Sequence, residues 1–402
     1  MKKRVLSVFL LMGLILTACQ NQGSEEKKDS APVKQQITQN SEGEMEETSM
    51  DLEKYSLEYV KESDQQTCFA WNQMSKSDLG YYMWGTGEQQ GMLLFMDAAS
   101  KVVVPLCNQP NCKHEGENTC DAYYPSYGLA DSFYDTAWVQ YYEDGVYTIG
   151  CDSDGYVYLY KADPDGSNRR KSTSLYRCST TGEGKWSSPQ VVLHRGYVYF
   201  INPNNEIPKI EKTVLGEKEN SEVIYEAVGT RPTIYRIQAY GDYIFFQIGY
   251  FKDEKMENVI GGIYAYNTKF NTVICVKKDA VSCYMIAEDQ LYYGNEKGIM
   301  RYSLSDQTEK EWILTKKAYP EFSLNKDYIF VYEDHAMQVY DFEGNDVDSI
   351  ANGENYIEYY YGDDTFLFAQ NCEKEEMLVL PIDGFLNNKE RWEVLGHSLA
   401  ED

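Results

Sequence analysis

The chain has 402 residues, 43% of them hydrophobic, with 37 Lys and Arg against 64 Asp and Glu, for a net charge of −27. That length supports a large core. The acidity excludes nucleic acid as a partner, since no basic excess exists to neutralise phosphates. Four His residues narrow the field for catalysis by a histidine base, and 36 Tyr lean towards half-buried strands.

The N-terminus reads Met1-Lys2-Lys3-Arg4, followed by an almost wholly apolar run from Val5 to Leu16. The run is too short to span a bilayer as a mature helix. A basic start and a short apolar centre describe a signal peptide, residues 1–18. Its ending, Leu16-Thr17-Ala18-Cys19, resembles the lipobox of bacterial lipoproteins. That resemblance implies cleavage before Cys19, a lipid on its sulfur, and an extracytoplasmic protein held on the membrane.

Residues 20–50 carry seven acids and three bases, and their strong apolar residues are Val33, Ile37, Met45 and Met50. Such a segment cannot bury enough surface to fold, so 19–50 reads as a polar tether. With three positive charges on the signal and −4 on 20–50, residues 51–402 hold −26.

A short motif then recurs: an acidic or Gly turn, then a strand rich in Tyr, Phe and Ile. It begins at Gly80, Gly145, Gly196, Asp242, Asp289, Asp327 and Asp364, with spacings of 65, 51, 46, 47, 38 and 37 residues. A second apolar-alternating stretch follows each anchor, as at Tyr156–Ala162, Ile263–Asn267 and Met337–Phe342. Turn residues come next in most units, as at Asp163-Pro164-Asp165-Gly166, and then a third strand. A short strand before the next anchor completes four, as at Tyr284–Ala287. Four-stranded units of 40–50 residues predict an all-β fold, a β-propeller of seven blades over 51–402. Six or eight blades, or a plain sandwich of similar strands, are the alternatives. Residues 55–61 could supply a strand that closes the ring.

The first spacing exceeds the next by 14, which places an insertion at about 105–135. It holds Cys107-Asn108-Gln109-Pro110-Asn111-Cys112-Lys113-His114, then Cys120. Cys107, Cys112, His114 and Cys120 are four donors suited to tetrahedral zinc, a structural cofactor for a loop with few apolar residues. The competing reading is a disulfide among the three Cys, as exported proteins meet oxidising surroundings. A disulfide leaves His114 without a role. Cys68 precedes the first unit and Cys372 lies in the last, so this pair could lock the ring shut. Both are also read as buried small hydrophobes, like Cys151, Cys178, Cys275 and Cys283.

The turn Asp163–Arg170, with the strand Tyr156–Tyr160 before it, resembles the turn of YWTD propellers in low-density-lipoprotein-receptor proteins. It is also similar to the repeats of TolB propellers. Both families are usually six-bladed, so a count of seven departs from them. The whole layout resembles lipoprotein propellers of anaerobic Gram-positive bacteria. These resemblances imply fold and location only.

Other motifs read as structure. Gly85 to Gly91 has one residue too many for a dinucleotide fingerprint and sits between strands. Gly182-Glu183-Gly184-Lys185-Trp186 lacks the first Gly and the hydroxyl of a P-loop. Asp152-Ser153-Asp154-Gly155 lacks the Glu of a calcium loop and reads as a tight acidic turn. His194, His335 and His397 join no nucleophile. Trp71, Trp84 and Trp138 form either a sugar platform or inter-blade packing.

The functional expectation is a surface lipoprotein that binds or scaffolds a glycan, a peptide or an envelope component. Its rivals are a polysaccharide hydrolase or lyase with paired carboxylates in the propeller channel, and an envelope-assembly protein. Catalysis is the less favoured of these classes. Cys19→Ser is expected to move the protein from the membrane to the soluble fraction; continued full recovery with membranes refutes the lipid anchor.

Overall fold

Aromatic and β-branched side chains fit a pleated surface buried on both sides, and the recurring anchors are built from them. In the computed structural model each anchor is the second strand of a four-stranded antiparallel sheet. The structure describes Glu47, Met50, Asp51 and residues 74–395 apart from 86–90, 117–118, 125–137, 178–189, 203–204, 218–219, 252–258, 279–281, 288, 334–335, 352–356, 372–373, 375 and 383–391. All of these belong to one compact unit, Lys34–Asp402. Among the described residues, 28 strands form seven sheets, each of four strands consecutive in the chain. The first blade comprises Met74–Lys76, Gly80–Trp84, Leu93–Asp97 and Val103–Pro105. The second to seventh occupy 139–177, 191–226, 230–277, 284–314, 321–351 and 357–394. The result is a seven-bladed β-propeller, as the repeat predicts. Among the described residues no helix is long and apolar enough to cross a membrane.

The core is not central. It consists of wedges between neighbouring blades. Tyr199, Ile210 and Tyr225 of the third blade pack with Phe246, Ile248 and Tyr264 of the fourth. Equivalent clusters fill the other junctions. The second strand of each blade therefore has neighbours on both faces. Gly145–Cys151 is buried along its whole length, whereas the third strand Tyr156–Ala162 alternates. Each large side chain buried in a wedge contributes roughly 1.5–3 kcal/mol relative to exposure.

The last and first blades meet through the same kind of wedge. Tyr81, Met83 and Met96 lie in one cluster with Phe366, Phe368 and Val379. The Tyr81 ring is 5.0 Å from that of Phe368. Polar contacts reinforce the junction. Asp363 is 4% exposed, accepts from the Tyr81 hydroxyl at 2.5 Å, and pairs with Lys76 at 2.7 Å. Its other oxygen accepts the amides of Thr365 and Phe366 at 2.6 and 2.9 Å. A carboxylate so placed keeps the charge partner and hydrogen bonds that burial demands. Lys101 also reaches Glu393 across this junction at 2.7 Å, but the pair is exposed and adds little.

One boundary moves. Composition ends the tether at residue 50, yet Glu47 forms a parallel bridge with Cys275 of the fourth blade. Its carboxylate accepts the Lys278 amide at 2.8 Å, and Met50 is buried in the wedge between the fourth and fifth blades. A single methionine finds an apolar slot there, which a composition averaged over the segment conceals. Residues 55–61, read as a closing strand, lie outside the described residues.

Asp363→Ala removes one side of a mostly buried pair and leaves Tyr81 without its acceptor. It is expected to cost roughly 3 kcal/mol in denaturant unfolding, with Lys101→Ala close to neutral. Equal effects of the two substitutions would contradict this account of the closure.

Candidate metal centre

After the fourth strand of the first blade the chain leaves the sheet and returns to it. Both ends of this excursion are pinned to one residue. The Leu106 amide donates to the Leu93 carbonyl at 2.8 Å, and the Leu93 amide donates to the Ala122 carbonyl at 2.8 Å. Met92 and Tyr123 form an isolated antiparallel bridge beside them. Ala122 and Tyr124 are buried, so the returning segment is part of the blade's core.

Between those anchors the loop is polar and tightly turned. The Cys112 amide bonds to the Gln109 carbonyl at 3.3 Å, a turn that Pro110 stiffens. The amides of Thr119 and Cys120 both donate to Gly116 at 3.1 Å. Asn111 and His114 adopt left-handed φ values of 59° and 54°. That conformation is unfavourable for a non-glycine residue, and here it turns the chain back on itself.

These turns bring the four donors named in the sequence together. The ligand atoms of Cys107, Cys112, His114 and Cys120 all lie within 4.8 Å of one another. His114 Nδ1 is 3.2 Å from Cys120 Sγ. The three Cys are free thiols, two of them half-buried and Cys120 buried. The Ala122 amide donates to Cys120 Sγ at 3.4 Å, and the Cys112 thiol donates to the Thr119 carbonyl at 3.3 Å. Burial opposes ionisation of Cys107, but the amides of Gln109 and Asp121 and the neighbouring thiols outweigh it and lower its pKa. Cys120 is pushed up to about 12, by burial first and then by the adjacent Cys107 and Cys112. The set thus holds one sulfur inclined to ionise beside one that resists it.

The loop rests on the second blade. The Asn108 amide group donates to the Asp165 carboxylate at 2.7 Å, and the Tyr82 hydroxyl donates to the Pro164 carbonyl at 3.0 Å. Arg169 donates to the carbonyls of Asp121, at 3.0 Å, and Tyr123. Its guanidinium lies 5.2 Å from the centre of the Tyr124 ring. Gly166, at φ 84°, sits against the backbone of Leu106 and Cys107: a Cβ there would fall 2.6 Å from the Leu106 oxygen. The turn Asp163–Arg170 is therefore the cradle of the Cys/His loop. Sequence reasoning missed Arg169, because nothing local ties it to Asp121, 48 residues away.

Other sequence candidates fall elsewhere. Trp84 and Trp138 are 3% and 1% exposed; Trp84 packs between the first and second blades and Trp138 between the second and third, with Trp84 Nε1 donating to the Trp138 carbonyl at 3.1 Å. They are packing residues, not a platform. His194 is buried, its Nε2 2.8 Å from the Gly241 carbonyl oxygen. Asp152 to Gly155 is a tight turn whose carboxylates both meet Lys171. Cys151, Cys275 and Cys283 are buried. Cys19, Cys68, Cys178, Cys372, Trp71, His335 and His397 lie outside the described residues.

No family model matches the chain, and no curated protein matches it. Among solved structures it is similar to the β-propeller domain of the trilobed protease from Pyrococcus furiosus. There the identity is 10% and the TM-score 0.48, covering 83% of this chain and 99% of that one. It is also similar to the tricorn protease, at 10% identity and a TM-score of 0.48, covering 86% of this chain. An acylaminoacyl peptidase complex matches at 10% identity and a TM-score of 0.45, covering 64% of this chain. The matches span 36% of the tricorn chain and 45% of the peptidase.

Two glycines separate the effect of contact from that of conformation. Gly166 and Gly155 have φ values of 84° and 78°, but nothing lies within 4 Å of a Cβ at Gly155. Gly155→Ala is expected to cost about 1 kcal/mol, for conformation alone. Gly166→Ala is expected to cost roughly 2–3 kcal/mol and to loosen the loop, read by unfolding and by amide exchange over 120–124. Equal costs would show that the cradle does not bear on the loop.

Proposed function

We propose that the protein is an extracytoplasmic lipoprotein whose propeller binds or scaffolds a glycan, a peptide or an envelope component. The basic start, the apolar run and the Leu16–Cys19 ending support export and anchoring through Cys19. The 27 residues from 20 to 46, fully extended, could reach roughly 90 Å, which suits a domain displayed above a membrane. The charge of −26 on residues 51–402 supports a partner other than nucleic acid. The resemblance of the turn Asp163–Arg170 to YWTD and TolB repeats supports the propeller fold, although seven blades depart from both.

The buried acids do not supply the free pair of carboxylates that polysaccharide cleavage needs. A glycosidase needs two carboxylates left free to exchange protons or attack. The buried acids among the described residues, Glu211, Asp242 and Asp363, are all engaged. Asp242 pairs with Arg195 at 2.5 Å and Lys269 at 2.6 Å. Glu211 accepts from Asn202, Asn205 and Ser221 at 3.1, 3.0 and 2.6 Å. Asp363 serves the ring closure. Each is tied down by hydrogen-bonding or charged partners.

Soluble Cys19→Ser protein applied to arrays of cell-wall glycans, peptides and polysaccharides should retain a defined ligand without consuming it. Release of shortened oligosaccharide from any retained polysaccharide would overturn the binding reading in favour of the hydrolase or lyase.

A further inference from the structure

We propose that Cys107, Cys112, His114 and Cys120 bind one zinc ion, and that the loaded loop is a staple holding the first blade to the second. A tetrahedral ion with zinc–sulfur bonds of about 2.3 Å sets its sulfurs about 3.8 Å apart. Four donor atoms all within 4.8 Å of one another approach that arrangement. A disulfide would consume two thiols and leave the third, together with an imidazole placed 3.2 Å from Cys120 Sγ, without purpose. His114, at φ 54°, turns the chain so that its ring reaches the three sulfurs.

The surroundings suit thiolates. Backbone amides of Gln109 and Asp121 face Cys107 Sγ, and the Ala122 amide faces Cys120 Sγ. N–H groups directed at sulfur stabilise metal-bound thiolate and orient it. On binding, the thiols lose their protons to solvent, and three thiolates with a neutral imidazole leave the centre with a net charge of −1. Four protein donors complete a tetrahedral set with no position for water, which makes the ion structural and not catalytic. The ion carries its effect to the second blade through neighbours of the ligands. Asp121, next to Cys120, and Tyr123 offer their carbonyls to Arg169, and Asn108, next to Cys107, holds Asp165.

The test uses the whole chain, purified under reducing conditions without chelator. Elemental analysis should find about one equivalent of zinc. Cobalt exchanged into the site should give the intense visible bands and thiolate charge-transfer bands of a tetrahedral sulfur-rich centre. His114→Ala should weaken zinc binding about tenfold or more against a competing chelator. Stripping the metal should raise amide exchange over 120–124 while that of 284–351 is unchanged. Because the cobalt spectrum is read on the unsubstituted protein, a misfolded variant cannot mask the answer. Metal-free protein that does not retain added zinc, a pale octahedral cobalt spectrum, or a disulfide among Cys107, Cys112 and Cys120 in the reduced preparation would overturn the site. Unchanged exchange over 120–124 on stripping would overturn the staple.

Discussion

Every blade of this protein presents two apolar faces, and the structure depends on covering both. A four-stranded sheet has no interior of its own, so neighbours must supply it. Seven wedges do this, and the seventh joins residues nearly three hundred positions apart. Phe366 and Phe368 can be buried only if Tyr81 and Met83 come to them. In the described residues no strand is exchanged between the first and last sheets: each takes its four strands from its own stretch of chain. Side-chain packing and the Asp363 pairing carry the closure in that region.

The polar contacts obey the same constraint. Strands and turns of one blade bond to the backbone or side chains of the next. Gln140 exchanges two hydrogen bonds with the backbone of Leu193, at 2.9 and 3.1 Å. Asn325 donates to the Asp363 carbonyl at 3.0 Å. The turn after the third strand seats repeatedly on the outer strand of the preceding blade. Gly216 donates to Thr173 Oγ1 at 2.9 Å, and Trp312 Nε1 donates to the Phe342 carbonyl at 3.0 Å beside Gly344. Gly166 beneath Leu106 is the same device, adapted to carry a Cys/His loop. These turns recur at equivalent positions because twisted, wedge-packed sheets meet their neighbours there.

The blades were legible in the sequence because their second strands are buried on both faces. Double burial turns an alternating pattern into an unbroken apolar run, and runs such as Tyr243 to Phe246 stand out. Edges were harder. The third strand of the fourth blade reads from Ile263 in the sequence but begins at Val259. Gly261 and Gly262 suggest a break, yet they pair with Gly249 and Ile248. A Cβ at Gly262 would lie 3.0 Å from the Lys277 carbonyl, so glycine is there for close backbone approach and not for a turn. The four donors of the loop were legible from residue type, since three Cys and one His within 14 positions form a rare combination. Their cradle was not. Arg169 is an ordinary surface residue in one dimension and becomes a partner of Asp121 only when two blades are set side by side. Glu47 and Met50 were hidden for a similar reason: a polar segment gives no sign of the one slot it fills.

The order of the blades along the chain also sets the order in which the protein can be completed. Any chain is synthesised from its N-terminus, so the first blade is complete long before its last partner. Until residues beyond 357 arrive, Tyr81, Met83 and Met96 face solvent, and six stacked blades present one bare apolar flank at each end. Such flanks are what intermediates of repeat folds expose to proteases and to each other. Because the closing contacts are so remote in sequence, this is also the slowest junction to find. The interval between synthesis of the first blade and closure of the ring is the period in which the chain depends most on its surroundings.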